Sequence, residues 1–120
     1  MASVKEIMLR PVVAVNVNAS AGTAKKLMDT ARVSVLPVLS GSRLVGIVTR
    51  SELEVEPQAE RLGAMKLRLV YVTEDDSIDK AARLMVENSI ARIPVVKDNV
   101  TLHCTGIVSA TEIAKYHKEK

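Results

Sequence analysis

One hundred and twenty residues, 48% apolar and 26% charged, describe a folded globular chain of one domain, or of two half-size units sharing a core, and exclude a disordered one. A single cysteine, Cys104, excludes an internal disulfide framework; no apolar run approaches the roughly 18 residues of a membrane span, and the N-terminal stretch MASVKEIMLR lacks a signal-peptide pattern, so a cytoplasmic location is expected. The net charge of +3 is spread along the chain, and with no Phe or Trp and only Tyr71 and Tyr116 the sequence lacks the basic face and stacking platform of a nucleic-acid binder.

In chain order, Lys5–Met8 leads into a β-branched run, Val12–Val17, that reads as a strand. Ser20 stands at the N-cap of a helix whose apolar positions are Ala24, Leu27, Met28 and Ala31. A strand ends in Val35-Leu36-Pro37-Val38-Leu39, Ser40-Gly41-Ser42 turns the chain back through Leu44–Val48, and a second helix opens at Thr49. The polar stretch 54–60, with Pro57, is the seam. Everything then recurs: Leu62–Met65, the strand Leu69–Val72, a helix capped by Ser77 with Ile78, Ala81, Ala82 and Met85 inside, the strand Ile93-Pro94-Val95-Val96, a turn at Lys97-Asp98-Asn99, a strand Leu102–Val108 and a helix opening at Ser109.

The recurrence is a duplication. Residues 8–39 lie over 65–96 at an offset of 57 with nine identities in 32 positions, Met8 on Met65 and Pro37 on Pro94 among them. After three extra residues in the second copy, GIVTRSEL (46–53) lies over GIVSATEI (106–113) with four identities in eight. Neither half, at under 60 residues, buries its apolar faces comfortably alone. The expected architecture is α/β (α+β): two β-α-β-β-α repeats, 1–57 and 58–120, related by a pseudo-twofold axis, with sheets packed face to face, helices outside and paired clefts where the sheets meet.

The Leu/Ile-Pro-Val strand and the Gly-h-h-Thr/Ser-x-x-acid segment, each present twice in register, make this chain resemble a tandem pair of CBS (cystathionine β-synthase) domains, a Bateman module. The resemblance implies a non-catalytic regulatory module that binds AMP, ADP, ATP or S-adenosylmethionine in the clefts between the repeats and modulates an unidentified partner protein, with homodimerisation through the helices. It implies that Thr49 and Ser109 lie near phosphate or ribose, Thr111 beside them, and that Glu52 and Glu112 hold ribose hydroxyls. Val15-Asn16-Val17 and Val72-Thr73-Glu74 would contact the base, in clefts that usually join the first strand of one repeat to the Thr/Ser-x-x-acid of the other. Arg32 would face phosphate.

Physical chemistry supports a nucleotide site at these positions. Helix N-termini attract anions; Arg50, following Thr49, adds a cation that Ala110 lacks, so the first copy is expected to be the better phosphate site, and Val15, Val72, Pro37 and Pro94 offer aliphatic surface to adenine. The same segments, Thr49-x-x-Glu52 and Ser109-x-x-Glu112, also fit capping boxes, and Glu replaces the family's usual Asp in both. That substitution motivates the alternative: a structural dimerisation or adaptor module with no small-molecule ligand. His103, Cys104 and His117 have no metal-site spacing and Cys104 has no neighbouring base, so no metal, cofactor or catalytic residue is expected. Glu74-Asp75-Asp76 reads as a turn with negative charge at a helix start.

Overall fold

The computed structural model describes residues 2–119. Its elements follow the duplicated order: β1 (Val15–Asn16), α1 (Ala21–Ala31), β2 (Val35–Ser40), β3 (Arg43–Thr49) and α2 (Arg50–Val55), then β4 (Val72–Thr73), α3 (Ile78–Asn88), β5 (Arg92–Val96), β6 (Cys104–Ser109) and α4 (Ala110–Lys118). The mixed α/β class expected from the repeat is what the chain adopts. It forms two three-stranded sheets, β1-β2-β3 and β4-β5-β6, each with one parallel and one antiparallel pair.

Local chemistry explains the boundaries. Ser20 and Ser77 accept the amides of Thr23 and Lys80 and so open α1 and α3. Arg32 and Ser89 end those helices in the left-handed region, at φ 58° and 54°, returning their amides to Met28 and Met85. Neither is glycine, so each accepts about 1 kcal/mol of backbone strain to turn the chain into the next strand.

The first strand of each copy is shorter than its β-branched run suggests: β1 begins at Val15 rather than Val12, and β4 at Val72 rather than Leu69. Proline is the reason. Val15 pairs with Val38, so alternation along β2 turns Pro37 toward β1, where its missing N–H leaves the Val13 carbonyl without a donor. Pro94 does the same beside β4, opposite Val70.

Contacts divide the chain into two compact units that do not follow the seam near Pro57. One is Val13–Leu69; the other joins the first twelve residues to the chain from Val70 onward. Each unit therefore contains the lead-in segment belonging to the other copy. In the Val13–Leu69 unit, Leu62 and Met65 are buried in a core with Val15, Ala24, Met28, Leu36, Val38, Val48 and Leu53. The Leu62 and Gly63 amides donate to the carbonyls of Ala19 and Val17. In the other unit Val4 is fully buried, and the Val4 and Lys5 amides donate to Asp76 and Glu74.

Beyond these turns each lead-in crosses the outer strand of its sheet. Leu9 exchanges amide and carbonyl with Ile107, and the Ile47 amide donates to Arg68. The crossing passes over a glycine. A Cβ at Gly46 would lie 2.7 Å from Leu67 Cβ and 3.0 Å from the Arg68 carbonyl; at Gly106 it would lie 2.8 Å from Met8 Sδ and 3.1 Å from the Leu9 carbonyl. These contacts correct the alignment. Met8 occupies the place of Leu67, not of Met65, so the ungapped offset of 57 does not extend into the lead-ins, and Leu9 is the spatial counterpart of Arg68.

Gly46→Ala should lower unfolding stability by about 1–3 kcal/mol, because a fixed Cβ and a backbone carbonyl stand in the way. Gly106→Ala should cost less, since the Met8 thioether can rotate aside. Urea denaturation of both variants checks the order.

Candidate functional site

The two Thr/Ser-x-x-Glu segments fold onto helix N-termini as expected, but their acids differ in what they touch. Thr49 caps α2 with Oγ1 accepting the Glu52 amide at 3.4 Å; Glu52 Oε1 in return accepts the Thr49 amide at 2.9 Å and the Thr49 hydroxyl at 3.0 Å. Both arms of the capping box are closed. The other oxygen, Oε2, lies 3.4 Å from Nε of Arg68. Glu52 is thus held on both oxygens within its own unit.

Ser109 caps α4 through the Glu112 amide at 3.2 Å and is buried, 5% exposed. Here the return arm is absent from the cap, and the Glu112 carboxylate has Lys115 Nζ at 4.0 Å as its ion-pair neighbour. The difference follows from the crossing strand, which sets Arg68 beside Glu52 and Leu9 at the matching position of the other unit. Glu112 instead lines a cavity of about 480 Å³ with Glu6, Ile7, Met8, Leu9, Lys115, Tyr116 and Glu119. Three carboxylates against one ammonium make that lining acidic.

The remaining positions singled out in the sequence take up varied roles. Val15 and Val72 are buried, as are Pro37 and Pro94, in strands of their own sheets. The Val17 amide donates to Leu39; the Asn16 side chain accepts the Asn18 amide; and the Asn16 amide, turned away from β2 by strand alternation, meets no acceptor among the described residues. At the matching place in the second copy the Thr73 amide is taken by Asp76 Oδ2 at 2.8 Å. Arg50 does not stand free for an anion: it pairs with Asp29 at 2.8 Å. Arg32 is exposed at the end of α1, and Thr111 is exposed on α4.

Among the described residues no cluster of three His, Cys, Asp or Glu side chains forms that would hold a metal ion. Cys104 is half-buried with Sγ 3.8 Å from the Gly106 carbonyl, and burial pushes its thiol pKa up. Among the described residues no helix is long and apolar enough to cross a membrane. The acidic run before α3 serves the turn. Burial alone would raise Asp76, yet hydrogen bonds from the Thr73 amide and from Lys80, with the charge of Lys80, outweigh it and hold its pKa below the ordinary 3.8. Arg68 and Asp29, which complete the two ion pairs, were not evident in the sequence, because each partner lies far along the chain.

Comparison with known proteins agrees with this architecture. The CBS domain profile matches twice, over residues 4–54 and 59–119. The CBS domain pair of protein MJ0100, solved in complex with 5′-methylthioadenosine and S-adenosyl-L-methionine, is 25% identical and superposes with a TM-score of 0.81 over 100% of this chain and 99% of that one. CBSX2, solved in complex with AMP, is 22% identical with a TM-score of 0.84 over 99% and 98%. Among curated sequences, inosine-5′-monophosphate dehydrogenase of Thermoplasma acidophilum is 28% identical over 113 residues, 93% of this chain but 23% of that enzyme. The chain therefore spans about a quarter of that relative.

Two tests follow from the geometry. Glu52→Ala should lose about 1 kcal/mol of stability with its cap, whereas Glu112→Ala should stay within about 0.5 kcal/mol of the parent in thermal or urea unfolding. Because Asp76 has a depressed folded-state pKa, its contribution is present above the unfolded value of 3.8 and is lost as pH falls through the folded one. The stability gap between the parent and Asp76→Ala should therefore shrink in that acid range and persist at neutral pH.

Proposed function

This chain belongs to the CBS-domain family, carrying the domain twice, and from that premise we propose that it is a regulatory module that binds one adenosyl compound and transmits its occupancy to a partner protein or domain. The observation that carries this reading is the Glu112 cavity: a carboxylate released from its own cap, opening on a space of ligand size beside the N-terminus of α4. A carboxylate so placed accepts hydrogen bonds from a ribose diol. The pairs named in complex with adenosyl ligands support the choice of class.

One ligand per chain follows from what is already satisfied. Glu52 is closed by Thr49 and Arg68, while Glu112 lacks the return arm of its cap and lines the cavity. The character of the ligand follows from charge. The acidic cavity repels a triphosphate and favours an adenosyl group bearing a sulfonium or no charge, and the cation that would have drawn phosphate to the first copy, Arg50, is neutralised by Asp29. S-adenosylmethionine or a neutral thioadenosine is thus preferred to AMP, ADP and ATP. Signalling requires that occupancy favour one conformation. A partner supplied in trans, or fused as in the longer relatives, reads that shift; the cell compartment is taken as the cytoplasm and the module has no catalytic role.

Titration calorimetry on nucleotide-free protein should give a stoichiometry near one, with S-adenosylmethionine bound at least tenfold more tightly than ATP. Glu112→Gln should weaken binding tenfold or more, and Arg50→Ala should leave it within about twofold. ATP as the tightest ligand, or a loss confined to Arg50→Ala, would place the site on the first copy's phosphate machinery; no heat with any adenosyl compound would reject the sensor in favour of an adaptor.

A further inference from the structure

Three of the methionines are packed away: Met28 is fully buried, and Met65 and Met85 are 8% and 5% exposed. Met8 differs from them. It is half-buried and lines the cavity it shares with Glu112, so a small solute in that space reaches its thioether. The same sulfur sits at the backbone crossing. A Cβ on Gly106 would meet Met8 Sδ at 2.8 Å and the Leu9 carbonyl at 3.1 Å. The thioether therefore rests against the glycine, beside the bridge in which Leu9 and Ile107 exchange hydrogen bonds of 2.8 and 3.2 Å. The other unit has Leu67 at this place, a side chain with nothing to oxidise.

We propose that Met8 is an oxidation site: a peroxide converts its thioether to the sulfoxide, and the sulfoxide releases the lead-in from β6. A sulfur lone pair attacks one oxygen of hydrogen peroxide, and the S–O bond forms as the O–O bond breaks. The second oxygen leaves as hydroxide and takes the proton from the new S–OH to become water; sulfur is oxidised by two electrons and the peroxide reduced by two. Methionine sulfoxide reductases reverse the change with a dithiol as electron donor. The product no longer suits its place. A sulfoxide oxygen is an acceptor, and the polar atom nearest the Gly106 face is the Leu9 carbonyl, also an acceptor, which already holds the Ile107 amide. The new oxygen must compete for that amide or swing into the cavity toward water and Lys115, and either course weakens the bridge. Cys104 competes poorly for the peroxide, because burial raises its thiol pKa and the thiolate is the reactive form.

The test treats the full chain with hydrogen peroxide and follows each methionine by peptide mass spectrometry and the amides by hydrogen exchange. Met8 should oxidise at least about tenfold faster than Met28, Met65 and Met85. In the oxidised protein the Leu9 and Ile107 amides should exchange at least about tenfold faster while the Ile47 amide is unchanged, and reductase treatment should restore them. Met8→Leu, which copies Leu67, should keep its exchange rates through the same treatment. Met8 oxidising no faster than the buried methionines, sulfoxide without faster exchange, or Met8→Leu responding as the parent does would each overturn the proposal. A consequence that rests on the adenosyl reading is that the sulfoxide weakens S-adenosylmethionine at least about fivefold in calorimetry. Equal affinity before and after oxidation would overturn that coupling; absence of heat with the unoxidised chain would reject the adenosyl reading, and the exchange result would still decide on Met8.

Discussion

The structure turns on a close crossing of backbones. In each unit a lead-in segment passes over the outer strand of the sheet at a point where only glycine leaves room, Gly46 under Leu67 and Arg68, Gly106 under Met8 and Leu9. Glycine is ordinarily a weakness in a strand, and here its missing side chain lets a segment from the other copy add a backbone bridge and, through Leu62 or Val4, a fully buried residue. The two copies are consequently completed by each other's sequence. Neither repeat, cut at the seam near Pro57, would retain its own lid over the outer strand.

That crossing also makes the copies unlike. Whatever residue follows the crossing point lands beside the acid of the helix that the strand leads into. In one unit it is Arg68, which pairs with the second oxygen of a Glu52 already closed on its cap; in the other it is Leu9, beside a Glu112 that lines the cavity. Cation against leucine in the lead-in, together with the return arm that only Glu52 makes to its cap, distinguishes the two acids. The helix faces have diverged in parallel, the first copy ionic around Asp29 and Arg50, the second apolar around Val86.

Much of this was legible in the residues. Ser20, Ser77, Thr49 and Ser109 cap the helices they were read to cap, because an N-cap is a local interaction decided within three residues. The central strands followed from their Pro-Val runs. Features set by distant partners were not legible: nothing near Glu52 announces Arg68, nothing near Arg50 announces Asp29, and the matching methionines Met8 and Met65 suggested an equivalence that the crossing register removes. The truncated β1 and β4 lie between these cases. Their β-branched residues argue for longer strands, and the prolines responsible for the shortening sit over 20 residues downstream on the neighbouring strand. The ion pairs were hidden for the same reason: the cation visible in sequence, Arg50, is engaged by Asp29, and the one beside Glu52 arrives from the other copy's lead-in.

The most direct measurement of the account is backbone amide NMR of the chain during titration with S-adenosylmethionine. Shift changes should centre on Glu112, Lys115 and the Met8–Leu9 crossing, with the amides of Thr49 and Glu52 unmoved. Changes centred on Thr49 and Glu52, with Glu112 and its cavity silent, would contradict it.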